Sequence, residues 1–218
     1  WPEILFWEGE VSRKAQKMVR ARVAYQRLLQ RYPSSVWGTQ AQLGLGLVHL
    51  HEQAYDQAIK QFEQVSRTST SKTLTHQALL WQGLCHLQAK RQDDAVARFR
   101  ELLAQTLATP SVRGQAAFYL GETLTSLRRF DEASPVYQQA IELDANAPWL
   151  RDAFFGLGWS EFQQNHCQQS LQAFERYLRA PVSVATTAAL AQQQGRVAGE
   201  VLFAQGRCLM QLSRPQEA

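Results

Sequence analysis

Three cysteines stand in 218 residues, Cys85, Cys167 and Cys208, an odd number with no C-x-x-C pair and no metal-ligand spacing. That excludes a disulfide framework or zinc site as the organising principle and leaves three small thiols in a packed interior. No run of eighteen apolar residues occurs, so no membrane span is expected. The chemistry of known catalytic loops is missing too: there is no H-E-x-x-H, no G-x-S-x-G, no glycine-rich phosphate loop and no P-loop lysine. Acidic pairs such as Asp93–Asp94 and Asp131–Glu132 sit at expected helix starts, where a carboxylate complements the helix dipole. Neither an enzyme nor a cofactor, metal or small-molecule substrate is expected. Acid is absent locally as well, with none between Val11 and His51.

What the chain does have is repetition, which takes precedence in a sequence reading. Six of twelve glycines, Gly9, Gly46, Gly83, Gly121, Gly158 and Gly206, are spaced by 37, 37, 38, 37 and 48 residues. Twelve positions after each comes a small residue, in turn Ala21, Ala58, Ala95, Ala133, Ser170 and Ala218. Four positions further on stands an aromatic, Tyr25, Phe62, Phe99, Tyr137 or Phe174, wherever the chain continues. A glycine in a helix interior costs roughly 1 kcal/mol against alanine and so needs a packing reason. Two antiparallel helices crossing backbone to backbone at the small pair, with the aromatic beside the crossing, would supply it. The unit is a helical hairpin.

These positions resemble the tetratricopeptide repeat (TPR) family over nearly the whole chain. Leucine–glycine recurs in Leu45–Gly46, Leu120–Gly121 and Leu157–Gly158, and aromatic–aspartate–x–alanine in Tyr55–Ala58 and Phe130–Ala133. Departures are Glu8, Gln82 and Gln205 before their glycines. The resemblance implies an all-α fold, a right-handed α-solenoid of about five and a half helix–turn–helix repeats with an insertion before the last. A single solenoid over 1–218 is expected, its hairpins near 3–30, 38–65, 75–103, 114–144, 150–178 and, incomplete, 186–218. Because the chain opens at Trp1 and stops at a small position of an unfinished helix, it is expected to be a fragment of a longer protein.

Local signals refine this. Tyr32–Pro33–Ser34–Ser35 ends the first hairpin, with serine able to cap the next helix. Asp56, Asp93 and Asp131 are expected caps, Pro135 is expected in a first helical turn, and residues 66–73 read as a Ser/Thr-rich loop. Residues 182–199 are open to two readings, a helix lengthened from about Thr186 or a mobile loop, with the helix favoured. His49 and His86 share a repeat position and are expected to pack with one nitrogen satisfied; His76 and His166 fall in linkers or turns.

Function then has to lie on a surface. Residues three before and one and four after each glycine form a stripe on the leading helices, which line the concave side of such an array. The candidate partner-binding groove comprises Leu43, Leu47, Leu50, Leu80, Leu84, Leu87, Phe118, Glu122, Phe155, Trp159 and Phe162; Phe6, Phe203, Arg207 and Met210 fall on the same stripe. It is too apolar for a carboxylate clamp and suits an extended or helical peptide or protein partner. A second candidate surface is basic: Arg13, Lys14, Lys17, Arg20 and Arg27 lie in the first hairpin, where residues 1–51 hold seven basic and three acidic groups against sixteen of each beyond. Such a patch could meet an anionic partner or be an ordinary solvated face; nucleic acid is not the expected ligand. The repeat step and the segment 32–65 are similar to bacterial cell-envelope scaffolds of the outer-membrane assembly lipoprotein and Tol–Pal accessory type. That likeness implies a periplasmic scaffold. The alternative is an architectural module that self-assembles through its ends or its basic hairpin, so an oligomer is an open possibility.

Overall fold

The computed structural model describes residues 1–181 and 188–213, with side chains at 1–181 and 196–212. Among the described residues every regular element is an α-helix. They are α1 (Pro2–Lys14), α2 (Met18–Arg31), α3 (Gly38–His51), α4 (Tyr55–Thr68), α5 (Lys72–Gln88), α6 (Gln92–Leu103), α7 (Pro110–Ser126), α8 (Phe130–Leu143), α9 (Leu150–Gln163), α10 (Cys167–Arg179) and α11 (Ala188–Ser213). Consecutive helices pair as five hairpins, and α11 follows as a single helix of 26 residues. The fold is an all-α, TPR-type repeat array. Thr186 and Ala218, named above for the start and the small position of the last repeat, lie outside the described residues. The chain divides into two compact units, Trp1–Val112 and Arg113–Ala218.

All five hairpin turns share one geometry. Gln16, Gln53, Lys90, Arg128 and Asn165, each seven residues after its repeat glycine, have φ between 58° and 62°. The next residue's amide bonds six-to-one across the turn, as Lys17 N to Ser12 O (2.8 Å) and Arg91 N to His86 O (2.8 Å), while the left-handed residue bonds three back. This is the Schellman closure of a helix end. A side chain in the left-handed region costs roughly 1 kcal/mol or more, least for asparagine. Lys90→Gly is therefore expected to stabilise the protein by about 0.5–1 kcal/mol in a denaturant titration, and Asn165→Gly by less.

These turns correct the expected caps. The residue after the left-handed one is the N-cap each time, Lys17, Ala54, Arg91, Arg129 and His166, and none makes a side-chain cap bond. Asp56, Asp93 and Asp131 instead stand in the first turn, where they complement the dipole without capping. Asp56 pairs with Arg91 of the next hairpin at 2.7 Å. Serine does not cap α3 either; its N-cap is Trp37, whose amide bonds to Ser35 Oγ at 3.2 Å. Pro135 lies in the interior of α8, six residues into the helix, not in its first turn. The expected loop 66–73 shrinks to 69–71. Ser66 and Thr68 bond back to carbonyls within α4, and Ser71 caps α5 through Leu74 N.

The repeat glycines act differently from expectation as well. A Cβ on Gly46 would stand 2.5 Å from Phe62 Cε1, and one on Gly121 2.7 Å from Tyr137 Cε1. Gly9, Gly83 and Gly158 face Tyr25, Phe99 and Phe174 in the same way. The missing side chain is thus filled by the ring sixteen residues on, rather than by backbone of the partner helix. The small residue still lies in the seam: Ser170 Oγ donates to Gly158 O at 2.9 Å, and Ala21, Ala58, Ala95 and Ala133 are fully buried. Gly206 has no neighbour within 4 Å of that position among the described residues.

In the N-terminal unit the core runs from Phe6, Tyr25, Leu28, Leu45 and Val48 to Ile59, Phe62, Val65 and Cys85. Burial pushes the Cys85 thiol up to about 12, so it behaves as a small hydrophobe. His49 and His86 pack as expected, but each Nδ1 lacks a hydrogen-bond partner and only faces a carboxylate, Glu52 at 3.7 Å and Asp94 at 3.6 Å. Desolvation holds both imidazoles below the usual histidine range despite those carboxylates. His76 is buried in α5, not in a linker. His166, the N-cap of α10, bonds Glu161 at 2.8 Å.

Candidate functional site: the leading-helix stripe

The leading helices α1, α3, α5, α7, α9 and α11 carry the stripe, and its members meet different fates in the two units. In the N-terminal unit, Leu43, Leu47 and Leu50 are half-buried against the second core cluster, and Leu80 is buried. Leu84 and Leu87 are half-buried. Repeat stacking therefore takes up much of the apolar surface that the sequence suggested for a partner.

In the C-terminal unit, Phe118 is buried under Trp149, with ring centroids 5.2 Å apart and planes at 13°. Glu122 is exposed, yet its carboxylate accepts a hydrogen bond from Tyr137 Oη at 2.5 Å. Thr125 Oγ1 adds a bond to the same hydroxyl at 3.3 Å. The surrounding protein raises the Glu122 pKa, the Tyr137 bond lowers it, and the net position is above the usual carboxylate range. The first hairpin repeats this arrangement with Tyr25 Oη on Glu10 at 2.5 Å, but there Arg13 pairs with the acid at 2.7 Å. Burial again opposes the charge on Glu10; the bonds from Arg13 and Tyr25 outweigh it and leave its pKa lowered. Both glutamates thus serve a tyrosine of their own hairpin.

Phe155, Trp159 and Phe162 fall at positions i, i+4 and i+7 of α9 and form a ladder of half-buried rings. Centroids are 6.4 Å apart for Phe155–Trp159 and 5.6 Å for Trp159–Phe162. Phe203 of α11 extends the ladder at 6.5 Å from Phe162, and Arg207 lies over both, at 5.9 and 6.0 Å. Phe155 also packs on Tyr177 of α10, whose other neighbour is the Arg151 guanidinium at 4.2 Å. Stacked rings with an arginine form a surface that offers apolar area and one donor fork at low entropic cost. Phe203 and Arg207 were legible on the stripe; the Arg151–Tyr177 contact was not, since nothing in repeat spacing relates those two positions.

The basic candidates are dispersed by their own hairpin. Arg13 is committed to Glu10, and Arg20 pairs with Glu8 at 3.1 Å. Lys14, Lys17 and Arg27 form no ion pair among the described residues. No cluster of three or more metal-ligating side chains occurs among the described residues either, and no described helix is long and apolar enough to cross a membrane.

Sequence models described as tetratricopeptide repeat match residues 3–35, 112–181 and, for one model, both 55–107 and 155–218. The chain belongs to the tetratricopeptide repeat family. No curated protein matches it in sequence. Solved TPR structures show the same fold at low identity. A structure from the functional characterisation of Pseudomonas aeruginosa pilF is 17% identical with a TM-score of 0.69, the match covering 98% of this chain and 90% of that one. A tetratricopeptide repeat protein from Parabacteroides merdae is 13% identical with a TM-score of 0.70, covering 96% and 76%. A MamA crystal structure is 18% identical with a TM-score of 0.65, covering 78% and 92%. TPR arrays are protein-interaction modules, and this chain carries that architecture through all five hairpins.

Proposed function

We propose that the chain is a protein-interaction scaffold that takes a peptide segment of its partner on the leading-helix stripe, with the ring ladder of α9 as its anchor. The observation that supports this is the continuity of Phe155, Trp159, Phe162 and Phe203 along one face, capped by Arg207. From Phe155 to Phe162 the ladder rises about 10 Å along the helix, the span of roughly three extended residues or two helical turns of a ligand. Leu84 and Leu87 of the N-terminal unit are the corresponding anchors there. A periplasmic setting in a bacterial cell envelope belongs to the same proposal, on the likeness of segment 32–65, and fractionation of a producing cell with an antibody to the chain would check it.

Partner capture tests the reading directly. Interface hot spots of this type cost 2 kcal/mol or more on truncation, about thirtyfold in affinity. Trp159→Ala is expected to lose captured partners in a pull-down read by mass spectrometry, with an unchanged melting curve as the control. Capture undiminished in both Trp159→Ala and Leu84→Asp would remove the stripe as the binding surface.

A further inference from the structure

Two thiols meet in the seam between the fifth hairpin and α11. Cys208 shares the inner face of α11 with Val201 and Ala204, and all three are fully buried. Cys167 opens α10, and its thiol donates a hydrogen bond to Gln211 Oε1 at 3.3 Å, one turn beyond Cys208. From the other side, Cys208 interacts directly with Cys167 and with the Ser170 hydroxyl, one turn further along α10. Each sulfur therefore lies over one turn of the opposing helix, Cys167 over Cys208–Gln211 and Cys208 over Cys167–Ser170.

The repeat itself does not ask for sulfur here. The same two positions, nine after one repeat glycine and two after the next, hold Met18 and Val48, Tyr55 and Cys85, and Phe130 and Ser160. Only the seam under α11 fills both with cysteine among these. Ser170, which donates to Gly158 O at 2.9 Å, is small enough to leave room for the second thiol beside the first.

We propose that Cys167 and Cys208 form a reversible disulfide that staples α11 to the fifth hairpin, made by exchange with a small-molecule disulfide. A disulfide requires the two Cα–Cβ vectors to point at each other, and thiols seated reciprocally on opposing helices meet that requirement. Cys167 is the point of entry, at 6% exposure against 0% for Cys208. Its sulfur, having lost its proton to solvent, attacks the reagent; the reagent's S–S bond breaks and one thiol leaves. Cys208 then loses its proton, and its sulfur attacks the Cys167 sulfur of the mixed disulfide and expels the second thiol. Two protein thiols are oxidised, one reagent disulfide is reduced to two thiols, and excess thiol reverses both steps. Burial and the adjacent Cys167 push the Cys208 thiol up to about 11, which suits the resolving role better than the attacking one. The bond to Gln211 is given up, but that residue is exposed and water replaces it. The stapled helix is the one that brings Phe203 and Arg207 to Phe162. Any effect on partner capture rests on the function proposed above; formation of the bond does not.

The test equilibrates the whole chain with oxidised and reduced glutathione over a series of ratios, alkylates free thiols in denaturant and reads the mass. The oxidised chain is expected to keep one alkylable thiol of its three, Cys85, and to yield a Cys167–Cys208 cross-linked peptide on non-reducing digestion. It should melt roughly 5–10 °C above the reduced chain and exchange the amide hydrogens of α11 at least tenfold more slowly. Cys208→Ser should stop with glutathione held on Cys167, Cys167→Ser should take up none at Cys208, and Cys85→Ser should close the bond as the parent does. Three free thiols at every ratio, a mixed disulfide that never closes in the parent, or a bond that forms only in denaturant overturns the proposal. A bond that leaves exchange in α11 unchanged overturns the staple. Capture by the Trp159→Ala variant is read on the reduced chain, so the two proposals fail separately.

Discussion

Phe62→Ala is expected to destabilise the protein by about 3–5 kcal/mol, the usual loss for emptying an aromatic site in a core that cannot collapse. Phe62 is fully buried and its ring lies where Gly46 has no side chain. The more discriminating result is a change of sign. In the native background Gly46→Ala places a methyl 2.5 Å from Phe62 Cε1. The overpacking, roughly 1–3 kcal/mol, then exceeds the gain of about 1 kcal/mol in helix propensity. With Phe62 already alanine the obstruction is gone, and Gly46→Ala should stabilise. Gly206→Ala is the control, because no described residue lies within 4 Å of its added methyl; it should stabilise in either background. Urea titrations of the four combinations decide it, and a Gly46→Ala that stabilises the native protein would falsify the ring-into-glycine packing.

The second large effect joins neighbouring hairpins. Gly44 and Gly156 precede their repeat glycines by two residues, and each takes the far end of the preceding hairpin's tyrosine. A methyl on Gly44 would stand 2.5 Å from Tyr25 Cζ, and one on Gly156 2.6 Å from Tyr137 Oη and closer still to its Cζ. Where the ring is phenylalanine a side chain is tolerated: Trp81 stacks on Phe62 at 6.4 Å, and Ala204 follows Phe174. Tyrosine, next-repeat glycine and the glutamate after the repeat glycine thus occur together, twice. Gly156→Ala should cost about 2–3 kcal/mol in native protein and distinctly less in a Tyr137→Ala background, where both the ring and its hydroxyl are gone. Strict additivity of the two changes in a double-mutant cycle would show that the tyrosine and the glycine do not compete for space.

Much of this was legible because it rests on size. A small residue, a second twelve later and a ring four beyond are steric facts, and they carry the hairpins, their count and the stripe. What escaped the sequence rests on backbone torsion. The left-handed turn residue is glutamine, lysine, arginine or asparagine, none of which advertises a positive φ as glycine would, so Asp56, Asp93 and Asp131 were credited with capping that the turn itself performs. Pro135 was read into a first turn for the same reason, since the start of α8 is set by Arg129. At the groove the difficulty was energetic: Leu80 and Phe118 have the character of an anchor, and only the packing of adjacent repeats shows that they are buried. Glu122 looked like an offer to a ligand, yet its carboxylate holds Tyr137.

The hairpin turn also governs where this chain can change length. Between paired helices there are three residues every time, 15–17, 52–54, 89–91, 127–129 and 164–166. Between hairpins the number varies, from three at 69–71 to six at 32–37, 104–109 and 144–149. An added residue inside the turn would rotate the trailing helix by about 100° and carry its ring away from the notch that receives it. An added residue between hairpins leaves that mating undisturbed. Insertions and deletions are thereby steered to the connections between hairpins, while the turn inside each hairpin keeps its count.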